Sequence, residues 1–244
     1  MARRFKSPDL VHRWFVYKRH EIREGVLVGT QGRNDKPGPI SDAPQQLVFV
    51  HRRVIDPIQF SNAFGQLGYT RLCQPDDRRG GDPMEWFMAH ANTVSTILDL
   101  VGFIKHPPQR FQLRGPIAYG EQISGPPHTV FPTKTPMQEK TRFYLKRFLN
   151  GNLRGVGRIF LEHESTSKFE VRTLIEGIYW YLADLIDSGW FPERCAECGE
   201  FFISTDPRQK YCPATITSER SRCSSRLNFR NFERRKEREN HERR

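Results

Sequence analysis

The chain has 244 residues, of which 36% are hydrophobic, and it carries a formal net charge of +11 at pH 7. This length suits one large domain or one domain with a small satellite, and the charge favours an anionic partner such as nucleic acid. The N-terminus lacks the apolar run of a secretory signal, and the longest apolar stretches fall far short of the ~20 residues of a membrane span, so we expect a cytoplasmic protein without membrane segments.

The N-terminal part of the chain is predicted to contain short elements separated by loops. Residues 9–17 favour a short helix, and residues 25–30 favour a strand. Residues 47–50 follow a proline- and glycine-rich loop and are β-branched and aromatic, which is typical of a strand. These elements belong to a predicted globular body that spans residues 1–190.

Three helices are predicted in the rest of this body. An Asp-Pro pair at residues 82–83 predicts the N-cap and first residue of a helix. Thr135 begins a capping-box pattern and predicts a second helix, and residues 167–170 form another such pattern before an amphipathic segment. The apolar face of that third helix contains Val171, Leu174, Ile175, Ile178, Leu182, Leu185 and Ile186. The predicted fold class is therefore α+β and mainly helical.

Four of the five cysteines lie close together near the C-terminus. Cys195 and Cys198 form a Cys-x-x-Cys turn followed by glycine, which lets both thiolates face one ion, and Cys212 and Cys223 follow. Four thiolates suit zinc and leave no open coordination position, which predicts one structural zinc ion per chain. The alternatives are a thioredoxin-like redox pair, an iron–sulfur cluster and four unrelated core thiols. Cys73 is interpreted as a small buried core residue.

The residues around these cysteines predict a small module that spans residues 191–244. Residues 201–203 and 209–211 are predicted to pair as a β-hairpin, and a helix is predicted from about residue 224 to residue 240. A hairpin with one ligand pair, followed by ligands at the start of a helix, is a treble-clef-like arrangement. Because the module has few apolar side chains, metal binding would supply much of its folding free energy.

The predicted last helix is strongly basic. Residues 221–244 contain nine Lys/Arg against four Glu. The arginines predicted to contact nucleic acid recur every four residues and are Arg222, Arg226, Arg230 and Arg234. Their planar guanidinium groups suit phosphate or guanine, whereas the alternative is a solvated helix stabilised by Arg–Glu pairs. Leu227, Phe229 and Phe232 are expected to dock the helix on the aromatic residues of the hairpin.

The cysteines and their neighbours form a pattern over about residues 171–240. Its pieces are Cys195-Ala-Glu-Cys198, Phe201-Phe202, Ser204-Thr205, Tyr211-Cys212 and Cys223-Ser-Ser-Arg226. This pattern resembles the CGNR-type zinc fingers of bacterial proteins classed as stress-related transcriptional regulators. The resemblance implies that all four cysteines are metal ligands and that the last helix is the DNA-binding element. The chain departs from the family in reading Cys-Ser-Ser-Arg and in its longer gap at residues 213–222.

The sequence therefore predicts a zinc-dependent protein that binds duplex DNA and regulates transcription, with a body that senses a signal or forms a homodimer. One alternative is a zinc-stabilised module that binds RNA or protein. The other is an enzyme in the body that the module recruits to nucleic acid. The sequence has no phosphate loop, nucleophile elbow or zinc-protease motif, and the Glu-His-Glu run at residues 162–164 favours a surface strand, so no enzymatic activity is predicted.

Overall fold

The computed structural model describes residues 10–12, 14, 16–32, 34, 38–69, 80–105, 135–154, 156–160, 167–204, 206 and 208–242. This described part is an α+β fold with six helices and three small sheets, which confirms the predicted α+β class. About half of it is helical. Cys73 and residues 162–164 lie outside these ranges.

Strands and helices follow one another in short runs along the chain. The helices are α1 Ala43–His51, α2 Pro57–Phe64, α3 Met84–Lys105, α4 Met137–Asn152, α5 Leu174–Asp187 and α6 Arg222–Glu242. The strands are β1 Leu10–His12, β2 His20–Arg23, β3 Val26–Gly29, β4 Asp82–Pro83, β5 Gly157–Phe160, β6 Ser167–Val171, β7 Glu193–Arg194 and β8 Phe201–Phe202. β6 pairs in parallel with β1 and antiparallel with β5, β3 lies between β2 and β4, and β7 pairs antiparallel with β8.

The core lies where α3 packs against α1, α4 and α5. Its fully buried side chains include Leu47, Val48, Val94, Ile97, Leu98 and Ile178. The same hydrophobic cluster extends into the C-terminal module through Phe202 and Ile203. Within the described ranges one helix, α3, has the length and composition to cross a membrane, but core helices meet the same criteria and most of its apolar window is buried inside the protein.

Two predicted elements of the N-terminal part are wrong in type. Residues 47–50 lie in α1 rather than in a strand, and every residue from 43 to 50 is buried. A helix buried on all sides has no polar face, so its apolar run cannot be distinguished from that of a buried strand. Residues 10–12 form β1 rather than a helix, because their pairing partner β6 is distant in sequence. The strand predicted at residues 25–30 is confirmed by β3.

Asp82 does not have the predicted role of a helix cap. It lies in β4, and its carboxylate accepts hydrogen bonds from the backbone N–H groups of Gly68 at 3.0 Å and Tyr69 at 2.8 Å, together with that of Leu67. Burial raises the pKa of Asp82 to about 6 in spite of these three hydrogen bonds. The helix predicted after it is confirmed and begins at Met84.

The third predicted helix exists but begins later than predicted. Residues 167–170 form part of strand β6, and the capping box consists of Thr173 and Glu176. Thr173 Oγ1 accepts the N–H of Glu176 at 3.3 Å, and Glu176 Oε2 accepts the N–H of Thr173 at 3.2 Å. The helix predicted at Thr135 likewise begins later, at Met137, and has no side-chain cap. In both cases the helix begins a few residues after the predicted capping pattern.

Candidate metal centre and basic helix

Cys195 and Cys198 lie on the turn that connects β7 to β8. The turn closes through two backbone hydrogen bonds of 2.9 Å, from the N–H of Cys195 to the carbonyl of Glu200 and from the N–H of Gly199 to the carbonyl of Cys195. Gly199 has a φ of 76°, a left-handed conformation that favours glycine. The predicted Cys-x-x-Cys turn ending in glycine therefore has the expected local form.

The pairing predicted for the hairpin is wrong in its second arm. Phe201–Phe202 pairs with Glu193–Arg194, which lies before the cysteine turn, and not with residues 209–211. Residues 209–211 contact the turn only locally, where the carbonyl of Lys210 accepts the N–H of Ala196 at 2.9 Å. The short strand Glu193–Arg194 carries two charged residues and has no alternating apolar pattern that could have revealed it.

Cys223 joins the cluster from the first turn of α6. Ser221 caps this helix, since its Oγ accepts the N–H of Ser224 at 3.2 Å and its carbonyl accepts the N–H of Ser225 at 2.9 Å. The helix therefore begins at Arg222, and Cys223 is its second residue. The long gap after Cys212 thus ends in a helix cap that fixes the position of the fourth thiol.

The four cysteine sulfurs form one compact group. The Sγ atoms of Cys195, Cys198, Cys212 and Cys223 all lie within 4.8 Å of one another, and those of Cys198 and Cys212 are 3.6 Å apart. A tetrahedral ion with metal–sulfur bonds of about 2.3 Å separates its sulfurs by about 3.8 Å. Three of the thiols are buried, and Cys198 is exposed. The group therefore has the dimensions of a single four-thiolate metal site.

The electrostatics of the cluster favour a bound cation. Burial alone would raise the pKa of Cys195, but backbone N–H groups of Cys198, Glu197 and Cys212 donate to its sulfur and lower the pKa to about 7. Burial, together with the charges of the neighbouring thiolates, raises the pKa of Cys223 to about 12 and also raises that of Cys212. Four thiolates at this separation repel one another, and a metal ion between them removes that repulsion.

Helix α1 of the body holds the module by hydrogen bonds to its backbone. Gln45 Oε1 accepts the N–H of Ile203 at 2.8 Å. Gln46 bonds twice to the segment after Cys212, donating to the carbonyl of Ala214 at 3.0 Å and accepting the N–H of Ile216 at 3.1 Å. Sequence reasoning missed this contact, although two adjacent glutamines in an otherwise apolar run were a signal. The inserted segment is therefore docked on the body.

An ion pair and a close contact complete this junction. Arg52, after α1, lies 3.1 Å from the carboxylate of Glu200 and donates to the carbonyl of Phe201. The ring of Phe201 lies against Gly102 of α3, where an added Cβ would come within 2.5 Å of the ring. A larger residue at this position would push the module away from α3. The close approach explains why glycine stands there.

The four arginines predicted to contact nucleic acid lie on α6 but differ in their surroundings. Arg230 forms an ion pair with Glu197 of the cysteine turn. Arg222, Arg226 and Arg234 are exposed and have no ion-pair partner among the residues that the structure describes. The structure thus brings the first three arginines close to the cysteine cluster by way of Cys223, whereas Arg234 lies farther along the exposed helix.

The aromatic residues of α6 do not dock it on the module, contrary to the prediction. Phe229 is 61% exposed and Phe232 is 63% exposed, and only Leu227 is half-buried. The prediction failed because helical spacing alone does not tell which face of a terminal helix meets its neighbour. In the described part of the chain, Cys223, the half-buried Leu227 and the Arg230–Glu197 ion pair hold the first half of α6, and residues 231–238 are exposed to solvent.

Comparisons with known protein families, with curated proteins and with solved structures find no match to this chain. The resemblance to CGNR-type zinc fingers therefore remains a prediction from the cysteine pattern. What the structure itself establishes is a cluster of four cysteines that could hold a metal ion, next to an exposed arginine-rich helix.

Proposed function

We propose that this chain is a zinc-stabilised protein that binds duplex DNA through α6 and acts as a transcriptional regulator. The observation that carries the proposal is the position of Cys223. It is the fourth thiol of the cluster and also the second residue of an exposed, arginine-rich helix. A metal at the cluster would therefore fix the direction in which this helix leaves the protein.

Zinc is the metal that the ligand set supports best. Zinc accepts four thiolates in a tetrahedron without a geometric penalty, and four protein ligands leave no position for water or substrate. The ion would then have a structural role. A hairpin that carries two ligands, followed by a helix whose first turn carries the last, supports a treble-clef-like module.

Duplex DNA is the partner that the exposed helix supports best. An α-helix with its side chains is about 10–12 Å across, and the major groove of B-DNA is about 12 Å wide. Arg222 and Arg226 lie in the first turns of α6 and have no acidic partner in the described residues, so both guanidinium groups are available to phosphate or to guanine. Arg230 is engaged by Glu197 and would instead stiffen the base of the helix.

The proposal is tested by measuring duplex affinity as a function of salt with the metal-loaded protein. The logarithm of the binding constant should fall with a slope of about −0.9 per phosphate contact, and the double variant Arg222→Ala/Arg226→Ala should reduce the slope by about two such contacts. The matched control is Arg142→Ala, an exposed arginine on α4 of the body, which should leave the slope unchanged.

Two further outcomes would redirect the proposal. Tighter binding to single-stranded RNA of the same length would support an RNA-binding module, and no binding to either nucleic acid would leave a protein partner or an enzyme in the body.

Metal analysis of the purified chain should give about one zinc per molecule. A brown protein that contains iron would instead indicate an iron–sulfur cluster.

A further inference from the structure

The face of α6 that points away from the cysteine cluster carries two exposed phenylalanines. At about 100° per residue, Phe232 lies about 180° and Phe229 about 120° around the helix from Cys223. Their side chains are 63% and 61% exposed. They are three residues apart, a spacing that makes side chains neighbours on a helix surface.

This aromatic pair needs a partner with unusual properties. Exposed phenylalanine is unfavourable in water, and in the described part of the chain more than half of each side chain remains exposed. Helix α6 contains seven Lys/Arg against four Glu, so a second copy of the same helix would bring like charges together. The partner that fits is anionic at its edges and apolar at the point of contact.

The major groove of DNA has both properties. Its walls are phosphates, and the 5-methyl group of thymine is the apolar group that each A·T pair presents on its floor. Phenylalanine is among the side chains that contact this methyl group. Arg226 lies beside the aromatic face on one side and Arg235 on the other, so both walls of the groove could be neutralised.

We propose that Phe229 and Phe232 contact thymine methyl groups in the major groove and give the protein a preference for sites with neighbouring A·T pairs. This inference rests on the proposed binding of duplex DNA by α6. The Cβ atoms of residues three apart on a helix are about 5–6 Å apart, whereas successive base pairs rise about 3.4 Å. The two rings therefore reach thymines in adjacent or next-nearest pairs, while the arginines beside them hold the backbone.

The experiment uses the full metal-loaded chain and a duplex enriched by it from a random-sequence pool. Every thymine of that duplex is then replaced by deoxyuridine, which differs only in lacking the methyl group. Two lost methyl contacts should weaken binding on the order of tenfold, without a change in the salt slope. Equal binding of the thymine and deoxyuridine duplexes would overturn the inference, and this comparison needs no altered protein.

Variants separate this inference from the function on which it rests. The double variant Phe229→Ala/Phe232→Ala should bind both duplexes equally and keep the wild-type salt slope. Arg226→Ala, the matched control on the neighbouring face, should lower the slope and keep the preference for thymine. Absence of duplex binding by the wild-type chain would overturn the proposed function itself. A thymine preference that survives in the phenylalanine variant would overturn only the assignment of these two residues.

Discussion

Helices α5 and α6 are held in place in two different ways. Ten of the fourteen residues of α5 are buried, and a reciprocal capping box fixes its start. Helix α6 is longer, with 21 residues, yet Cys223 is the one buried residue among those whose side chains are described. Burial of apolar surface therefore stabilises α5, whereas a metal bound at the cysteine cluster would hold one end of α6.

The two helices therefore differ in role: α5 stabilises the fold, and α6 is accessible to a partner. A buried amphipathic helix belongs to the core and is not available to a partner. Among the described residues, α6 is held along its first half, so most of its surface is exposed. It lacks the packed amphipathic face from which helices in proteins gain most of their stability. The stability of α6 should thus depend on the cluster and hardly on the core.

The largest expected effect is that of losing the metal. Replacing Cys212 by Ser removes a buried thiol of the proposed metal site, and structural zinc contributes roughly 10–16 kcal/mol of apparent binding free energy in small zinc modules. The variant should lose its metal, and the amides of α6 should lose their protection from hydrogen exchange, while those of α5 keep theirs.

Cys73→Ser is the matched control, since Cys73 is the one cysteine outside the described cluster, and it should retain about one metal ion per chain. Equal protection of α6 in the Cys212→Ser and wild-type proteins would show that the cluster does not hold the helix.

A substitution in the core should destabilise the body and leave the metal content unchanged. Leu182, on the buried face of α5, is 1% exposed. Leu182→Ala removes buried methyl groups and should lower the free energy of unfolding by about 3 kcal/mol, as determined by urea denaturation. Its metal content at ambient temperature should stay that of the wild type. Release of the metal under native conditions would mean that the core and the cluster are coupled more tightly than the helix comparison implies.

Stability should depend on pH through Asp99 at the junction of the two regions. Burial raises the pKa of Asp99 to about 6, and the nearby Arg52 opposes this while Glu200 adds to it. Because the pKa is higher in the folded than in the unfolded state, the stabilising contribution is present below about pH 4 and is lost as the pH rises through 6.

Asp99→Asn should therefore stabilise the protein by about 1–2 kcal/mol at pH 7 and have almost no effect at pH 4. Thermal unfolding at the two pH values measures the difference. A variant that is less stable than the wild type at pH 7 would show that the attraction between the Asp99 carboxylate and Arg52 exceeds the free-energy cost of burying the carboxylate.

The smallest effects concern the helix caps. Thr173→Ala removes the cap of α5 and should destabilise the body by about 1 kcal/mol. Ser221→Ala removes the cap of α6, and because Cys223 fixes the same turn when the metal is bound, its effect should be a few tenths of a kcal/mol on the loaded protein and close to 1 kcal/mol on the metal-free one. Hydrogen exchange of α6 measures the effect in the loaded protein, and the residual helix content, determined by far-UV circular dichroism, measures it in the metal-free protein. An equal effect in both states would contradict the anchoring role of the cluster.

The success of the sequence predictions depended on where the physical cause of each feature lies. The cysteine turn could be predicted because its causes, the cysteine spacing and the glycine that follows, are local in sequence. The four thiols lie together in the structure as predicted. Strand β1 has its partner far along the chain, and α1 is buried on every side, so local patterns gave the wrong element for both. The contacts of Ala214 and Ile216 with Gln46 and the exposure of Phe229 and Phe232 depend on tertiary packing, which the spacing of residues does not determine.

The most direct test compares duplex binding by the metal-loaded and the metal-free protein in the same buffer. Removal of the metal by a chelator should weaken binding at least tenfold and flatten its dependence on salt, and one equivalent of zinc should restore both. Unchanged affinity and salt slope in the metal-free protein would contradict the idea that the cysteine cluster positions α6 for DNA.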